Sequence, residues 1–246
     1  MTSRAQFISV IALSVAVSAV SLWSLLQREP SHDGRSLSQW LEDFDFGAAH
    51  RCAEAAEAMD EIGTNAIPRL LSLMNARDTP LDRAMEEITE SHPSVVLDWD
   101  TAFDAHWRAL RGFEALGARA ATAIPALEGR LNDGDNPQFI AFALAHIGIE
   151  SLPALQRAAT NHNHRVRSSA VAALGALGPE ARPALGALVA SLSDANASVR
   201  RCAAVALGQI SDGQLNVLSS LGQARHDLDA GVRDAAAAAL DALTTH

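Results

Sequence analysis

The apolar positions of this chain recur at a fixed spacing. A shift of 33 residues brings Val166-Arg167 onto Val199-Arg200 and then onto Val232-Arg233. The same shift carries Ala170 onto Ala203 and Ala236, Leu174 onto Leu207 and Leu240, and Leu177 onto Ile210 and Leu243. Within each copy these positions fall at i, i+4, i+8 and i+11, one face of an α-helix. Looser copies stand upstream at Ile140, Leu144 and Ile147, at Ala109, Phe113 and Leu116, and at Ala55, Met59 and Ile62. Glycine closes four of the helices, at Gly63, Gly117, Gly148 and Gly178. Glycine suits the left-handed residue just past a helix end. A proline follows at Pro68, Pro125, Pro153 and Pro183, ahead of a second group of leucines. Proline is tolerated in a first helical turn, where its missing N–H is not needed. The fifth copy has Ser211 and Asn216 in these two places. The predicted unit is therefore a helix, a glycine turn, a proline-led helix and a short polar loop. A period of this length predicts a solenoid.

Two stretches depart from the repeat. After a short tail, residues 1–6, residues 7–26 read FISVIALSVAVSAVSLWSLL, without a charge. As a helix this segment spans roughly 30 Å, the thickness of a hydrocarbon core. It predicts a single transmembrane anchor, with Trp23 near one interface. The alternative is a cleaved signal peptide, with Val17-Ser18-Ala19 as a small-residue cleavage site and a secreted product. Counting positive groups places the N-terminus in the cytoplasm and the repeats outside it, in the periplasm. Residues 27–46 read as a juxtamembrane linker followed by a short amphipathic helix. Leu37, Trp40, Leu41 and Phe44 share one face of it. That helix either caps the first repeat or offers an adaptor surface led by Trp40. The solenoid is expected over 47–246, with an insertion at about 77–105.

The run VRSSAVAALGALGPEARPALGALVASLSD at 166–194 resembles the HEAT repeat, in particular the short units of phycobilisome lyases. GRSLSQWLEDF is similar to a motif that follows the membrane segment of some HEAT proteins. The resemblance implies an all-α, right-handed α–α superhelix of antiparallel helix pairs. It carries almost no information about activity. It also implies a structural role for Arg167, Arg200 and Arg233, pairing with acids or helix ends of the neighbouring repeat. Asp194, Asp227 and Asp229 are the candidate partners. The same three arginines form a row that can instead bind an anion or a carboxylate-bearing peptide.

Charge refines the expectation. The net charge is −10, with 19 arginines and no lysine. Residues 27–163 carry 22 acidic and 11 arginine residues, and residues 164–246 carry seven of each. A basic protein partner would prefer the acidic half or the concave face of the solenoid. A general nucleic-acid binder needs concentrated positive charge, so none is expected. The insertion concentrates the acids Glu86, Glu87, Glu90, Asp98 and Asp100 around Trp99. It reads either as a tolerated surface elongation or as a binding patch, depending on where Trp99 and Phe103 point.

No chemistry converges. His162 and His164 share a loop, too few ligands for a closed metal site. Some HEAT-like hydroxylases hold iron with repeated His-Glu pairs, and no His-Glu dipeptide occurs here. Cys52 and Cys202 lie several repeats apart and read as small core residues. No catalytic residue, metal or cofactor is assigned. The function expected is a membrane-tethered, non-enzymatic scaffold that mediates protein–protein interaction. The alternative is a lyase-like or chaperone-like accessory protein that binds a chromophore or assists cofactor attachment.

Overall fold

The computed structural model describes residues 29–46, 49–80, 82, 84 and 101–244. Among them the chain forms an all-α, repeat solenoid-like fold behind one small hairpin. The hairpin pairs β1 (Ser31–His32) with β2 (Arg35–Ser36). It sits where the sequence suggested only linker, because Asp33-Gly34 is a tight-turn pair. Both residues take positive φ, 48° and 76°.

The helices follow as α1 (Leu37–Phe46), α2 (Ala49–Ile62), α3 (Ile67–Leu73), α4 (Ala102–Leu116), α5 (Ile124–Asp133) and α6 (Pro137–Ile147). Then come α7 (Leu152–Ala158), α8 (His164–Ala176), α9 (Leu185–Ser191), α10 (Ala197–Ile210), α11 (Leu215–Ala224) and α12 (Ala230–Thr244). The longer helices form one layer, in which α4, α6, α8, α10 and α12 pack each on the next. The shorter helices α3, α5, α7, α9 and α11 lie against it. The core runs between the layers. Met59, Phe113, Leu144, Leu174 and Leu207 are fully enclosed, as the repeat predicts.

The punctuation follows the sequence with two exceptions. Gly63, Gly117, Gly148 and Gly178 all take positive φ at helix ends. Pro68, Pro125 and Pro153 stand in the first turns of α3, α5 and α7. Pro183 does not; it lies inside the 3-10 turn Gly178–Ala184 that precedes α9. In the fifth copy Gly213 supplies the left-handed residue, φ 79°. The Ser211 hydroxyl accepts from the Gly213 N–H at 3.1 Å and donates to Gln214, which orders that turn.

Glycines also set the helix spacing. A Cβ on Gly175 would lie 3.1 Å from the Ala206 Cα, and one on Gly208 would lie 3.1 Å from the Ala239 Cα. The layer therefore closes to near backbone contact at both junctions. The residue 33 positions beyond Gly208 is Asp241.

The expected anchor at 7–26 lies outside the described residues. Among the described residues no helix is long and apolar enough to cross a membrane. That finding overturns the single-pass membrane placement, and with it the periplasmic orientation built on the anchor.

Candidate functional site

The arginine row is a ladder of internal rungs. Arg167 donates from Nε and Nη2 to both carboxylate oxygens of Asp194, at 2.8 Å each. Its Nη1 donates to the carbonyls of Asn161 and His162 at 2.9 and 3.0 Å. Arg200 repeats the pattern, gripping Asp227 at 2.7 and 2.8 Å and the carbonyls of Asp194 and Ala195. Each rung ties one long helix to the loop of the following repeat. The arginine hydrogen bonds hold the Asp194 and Asp227 carboxyls below the usual aspartate range. Arg233 keeps only the carbonyl bonds, to Asp227 and Leu228 at 2.8 and 2.9 Å, and is exposed. The sequence had left open whether the row is structural or anion-binding. Arg167 and Arg200 are filled from within.

Trp40 is not an adaptor surface. It is 7% exposed, packed in the core that α1 shares with α2 and α4. Its indole N–H donates to the His32 carbonyl at 3.1 Å. The Arg35 guanidinium stacks 3.8 Å from the ring centroid, a cation–π contact. Apolar burial and a satisfied N–H make it the lock between hairpin and solenoid.

Glu86, Glu87, Glu90, Asp98, Trp99 and Asp100 lie outside the described residues. The described acids of the insertion are engaged locally. Asp78 accepts from the Ala102 N–H at 2.8 Å, and Asp104 forms a capping box with Thr101 at the start of α4. Phe103, one residue before Asp104, projects outward and is 61% exposed.

That exposed phenylalanine opens a surface the repeat pattern did not mark. On α4 the core stripe is Ala109, Phe113 and Leu116; Phe103 and Trp107, a turn apart, occupy the opposite face. Trp107 is 45% exposed. Both rings stand edge-on to Phe139 of α6, with centroids 5.5 and 6.5 Å away and interplanar angles of 81° and 79°. Such edge-to-face contacts fix aromatic orientation. Phe139 is itself buried, so it forms the floor. Leu110, Gln138, Phe142 and His146 complete a recess of about 460 Å³. Phe142 also lines a second recess of about 290 Å³, with Ala172 and Ala176 of α8, and Arg201, Cys202 and Val205 of α10. The two recesses share Phe142 as a wall, and together they make a largely apolar trough across α4, α6, α8 and α10 that reaches Ala235 of α12.

The trough's titratable groups are muted. Burial pushes the His146 imidazole below the ordinary histidine range, with Glu114 opposing and Arg111 reinforcing. Burial pushes the Cys202 thiol up, opposed by Arg201. The side chain is partly buried, packed against the core while lining the trough. Buried His106, which packs 5.3 Å from Phe139, is likewise shifted down by burial. Among the described residues no group of three or more His, Cys, Asp or Glu side chains is arranged to hold a metal ion.

Residues 124–192 match the family described as HEAT repeats, and residues 184–214 match the single HEAT repeat. The chain thus contains HEAT repeats. No curated protein matches it. Among solved structures it is similar to human deoxyhypusine hydroxylase in complex with glycerol, at 22% identity over 85% of each chain with a TM-score of 0.44. It is also similar to a designed armadillo repeat protein, at 18% identity over 85% of this chain and 100% of the other, TM-score 0.40. A third is the complex of CpcE and CpcF of phycocyanin lyase from Nostoc sp., at 20% identity over 82% and 96%, TM-score 0.37.

Proposed function

We propose that this chain is a non-enzymatic HEAT-repeat scaffold that binds another protein in the trough on its long-helix layer. The observation that carries the reading is the pair Phe103 and Trp107, held edge-on by Phe139 while much of each ring faces solvent. Exposed, contiguous apolar surface of this kind marks an interaction site. Aromatic anchors in a recess are the usual hot spots of an interface. The remaining lining is mostly aliphatic and aromatic, with Gln138, His146, Arg201, Cys202 and Gln209 as its polar members. The acidic insertion, with Glu86, Glu87, Glu90, Asp98, Trp99 and Asp100, immediately precedes α4 in sequence. Its charge supports a basic region in the partner near that end.

The test is site-specific photocrosslinking. A benzophenone amino acid replaces Trp107 in one variant and exposed Leu215, outside the trough, in another. A discrete adduct from position 107, absent from 215 and abolished by Phe103→Ala, is the expected result. Equal adducts from both positions would refute the trough as the contact surface.

A second reading has the aromatic lining cradle a flat hydrophobic molecule, as an accessory in cofactor attachment. Phe103, Trp107, Phe139 and Phe142 favour it by their stacking surfaces. Its signature is an absorbing ligand that copurifies and quenches Trp107 fluorescence.

A further inference from the structure

The arginines of this chain are largely consumed by its own acids and carbonyls. Arg35, Arg69, Arg77, Arg111, Arg119, Arg157, Arg167, Arg182 and Arg200 all form ion pairs. Arg130 and Arg233 cap carbonyl groups. Among the described residues Arg165, Arg201 and Arg225 have neither an ion pair nor a side-chain hydrogen bond, and all three are exposed. Two of the three stand on the trough. Arg201 lines it directly. Arg165 precedes Ala172 and Ala176 by 7 and 11 residues, which places it on the same face of α8, roughly 10 Å along the axis from Ala172.

This placement is selective. Residues 164–246 carry equal numbers of acids and arginines, and the two arginines of α8 and α10 that form no ion pair, Arg165 and Arg201, place their guanidinium groups on the trough side. On α4 the cation Arg111 is matched by Glu114 at 2.6 Å, so that end contributes no free cation. On α12 the residue 33 positions beyond Arg201 is exposed Asp234, so the rim stops at α10. The trough therefore presents apolar floor throughout and unpaired guanidinium groups only over α8 and α10.

We propose that the trough receives the apolar face of an amphipathic helix whose carboxylates lie over α8 and α10, against Arg165 and Arg201. The proposal rests on the protein-binding reading above and adds the partner's chemistry. An apolar stripe at i, i+3, i+4 and i+7 fills the recesses. Glutamates or aspartates flanking that stripe meet the two guanidinium forks, which bind carboxylates in bidentate geometry. Rim charges of this kind fix the orientation of the partner and raise its association rate.

The test uses two synthetic 20-residue helical peptides with one leucine–phenylalanine stripe. One has a glutamate-flanked stripe and the other a lysine-flanked stripe. Binding of each labelled peptide to the full chain is followed by fluorescence anisotropy. The glutamate peptide is expected to bind more tightly, and less so as salt rises. Arg165→Glu with Arg201→Glu should weaken it at least tenfold and raise the affinity for the lysine peptide. Arg225→Glu, an unpaired arginine off the trough, should change binding by less than twofold. Circular dichroism checks that each variant keeps its helicity. An equal loss with Arg225→Glu overturns the proposal, as does a preference of the unaltered chain for the lysine peptide. If the lysine peptide wins and still requires Phe103 and Trp107, the scaffold reading stands and only the charge assignment falls. Failure of both peptides overturns the proposal and leaves the photocrosslinking to decide the scaffold reading.

Discussion

The arginine ladder gives a prediction that can be worked from its geometry. Arg200 and Arg233 are equivalent in sequence, 33 residues apart, yet only Arg200 holds a carboxylate. The Arg200 and Asp227 side chains are 16% and 13% exposed, so their two bonds are largely shielded from water. Removing one partner of a fully buried pair costs about 3–5 kcal/mol. A hydrogen bond to a charged group contributes about 1.5–3 kcal/mol. The residual exposure of this pair lowers the first figure, and about 2–3 kcal/mol is expected for Arg200→Gln. Arg233→Gln loses only carbonyl bonds at an exposed position, and about 1 kcal/mol or less is expected. For a chain of this size each kcal/mol moves the Tm by roughly 2–4 °C. Thermal unfolding should therefore drop roughly 5–10 °C for Arg200→Gln and roughly 3 °C or less for Arg233→Gln. A double-mutant cycle with Asp227→Asn isolates the rung. Asparagine keeps an oxygen for the Asp229 N–H, which Asp227 accepts at 2.8 Å. A coupling of about 1–2 kcal/mol is expected. Equal losses at positions 200 and 233, or a coupling near zero, would refute the assignment of the ladder to stability.

Three other outcomes follow from the same packing. Gly222→Ala, in an α11 position with nothing within 4 Å of the new Cβ, should raise stability by about 0.5–1 kcal/mol; Gly208→Ala should lower it, because overpacking against Ala239 costs about 1–3 kcal/mol, and denaturant melts compare the two. Trp40→Ala should cost about 3–5 kcal/mol as a core truncation, so a near-neutral denaturant melt would contradict its burial. His106 and His146 have folded pKa values depressed below 6.5, so their contribution is present above that value. It is lost as pH falls from 6.5 toward the folded values, where the unfolded chain binds more protons. Denaturation midpoints at successive pH values should decline in that window. The Asp194 and Asp227 contributions are present above 3.8 and are lost only as pH falls below it, through their lowered folded values.

The repeat was legible because a stacked helix pair imposes the same demands on every copy. Valine, alanine and leucine recur where α8, α10 and α12 press on their neighbours, and glycine recurs where the chain reverses. The hairpin escaped notice because two-residue strands leave no alternation to read, although Asp33-Gly34 was a usable turn signal. The trough was illegible for a different reason. Its residues are scattered over five helices, and only the stacking brings Phe103, Phe142 and Val205 onto one surface. A local trace existed in Phe103 and Trp107, an i, i+4 aromatic pair off the core stripe. Ion pairing was legible only in part: the 33-residue shift set Arg200 in one row with Arg167 and pointed to Asp194 and Asp227 as partners, but nothing along the chain showed that Arg201 would stand without an ion pair.

The glycine junctions bear on how this array is lengthened. Gly175 and Gly208 let α8, α10 and α12 approach almost backbone to backbone, and the next position in the series is Asp241. A further unit grafted after α12 at the same pitch meets a carboxylate where the earlier junctions present a hydrogen atom. It also meets, at Arg233, a guanidinium still waiting for the loop aspartate that Arg167 and Arg200 already hold. An engineered extension must therefore clear one site and fill the other together: glycine at 241, and an aspartate 27 residues beyond 233, the span between Arg200 and Asp227.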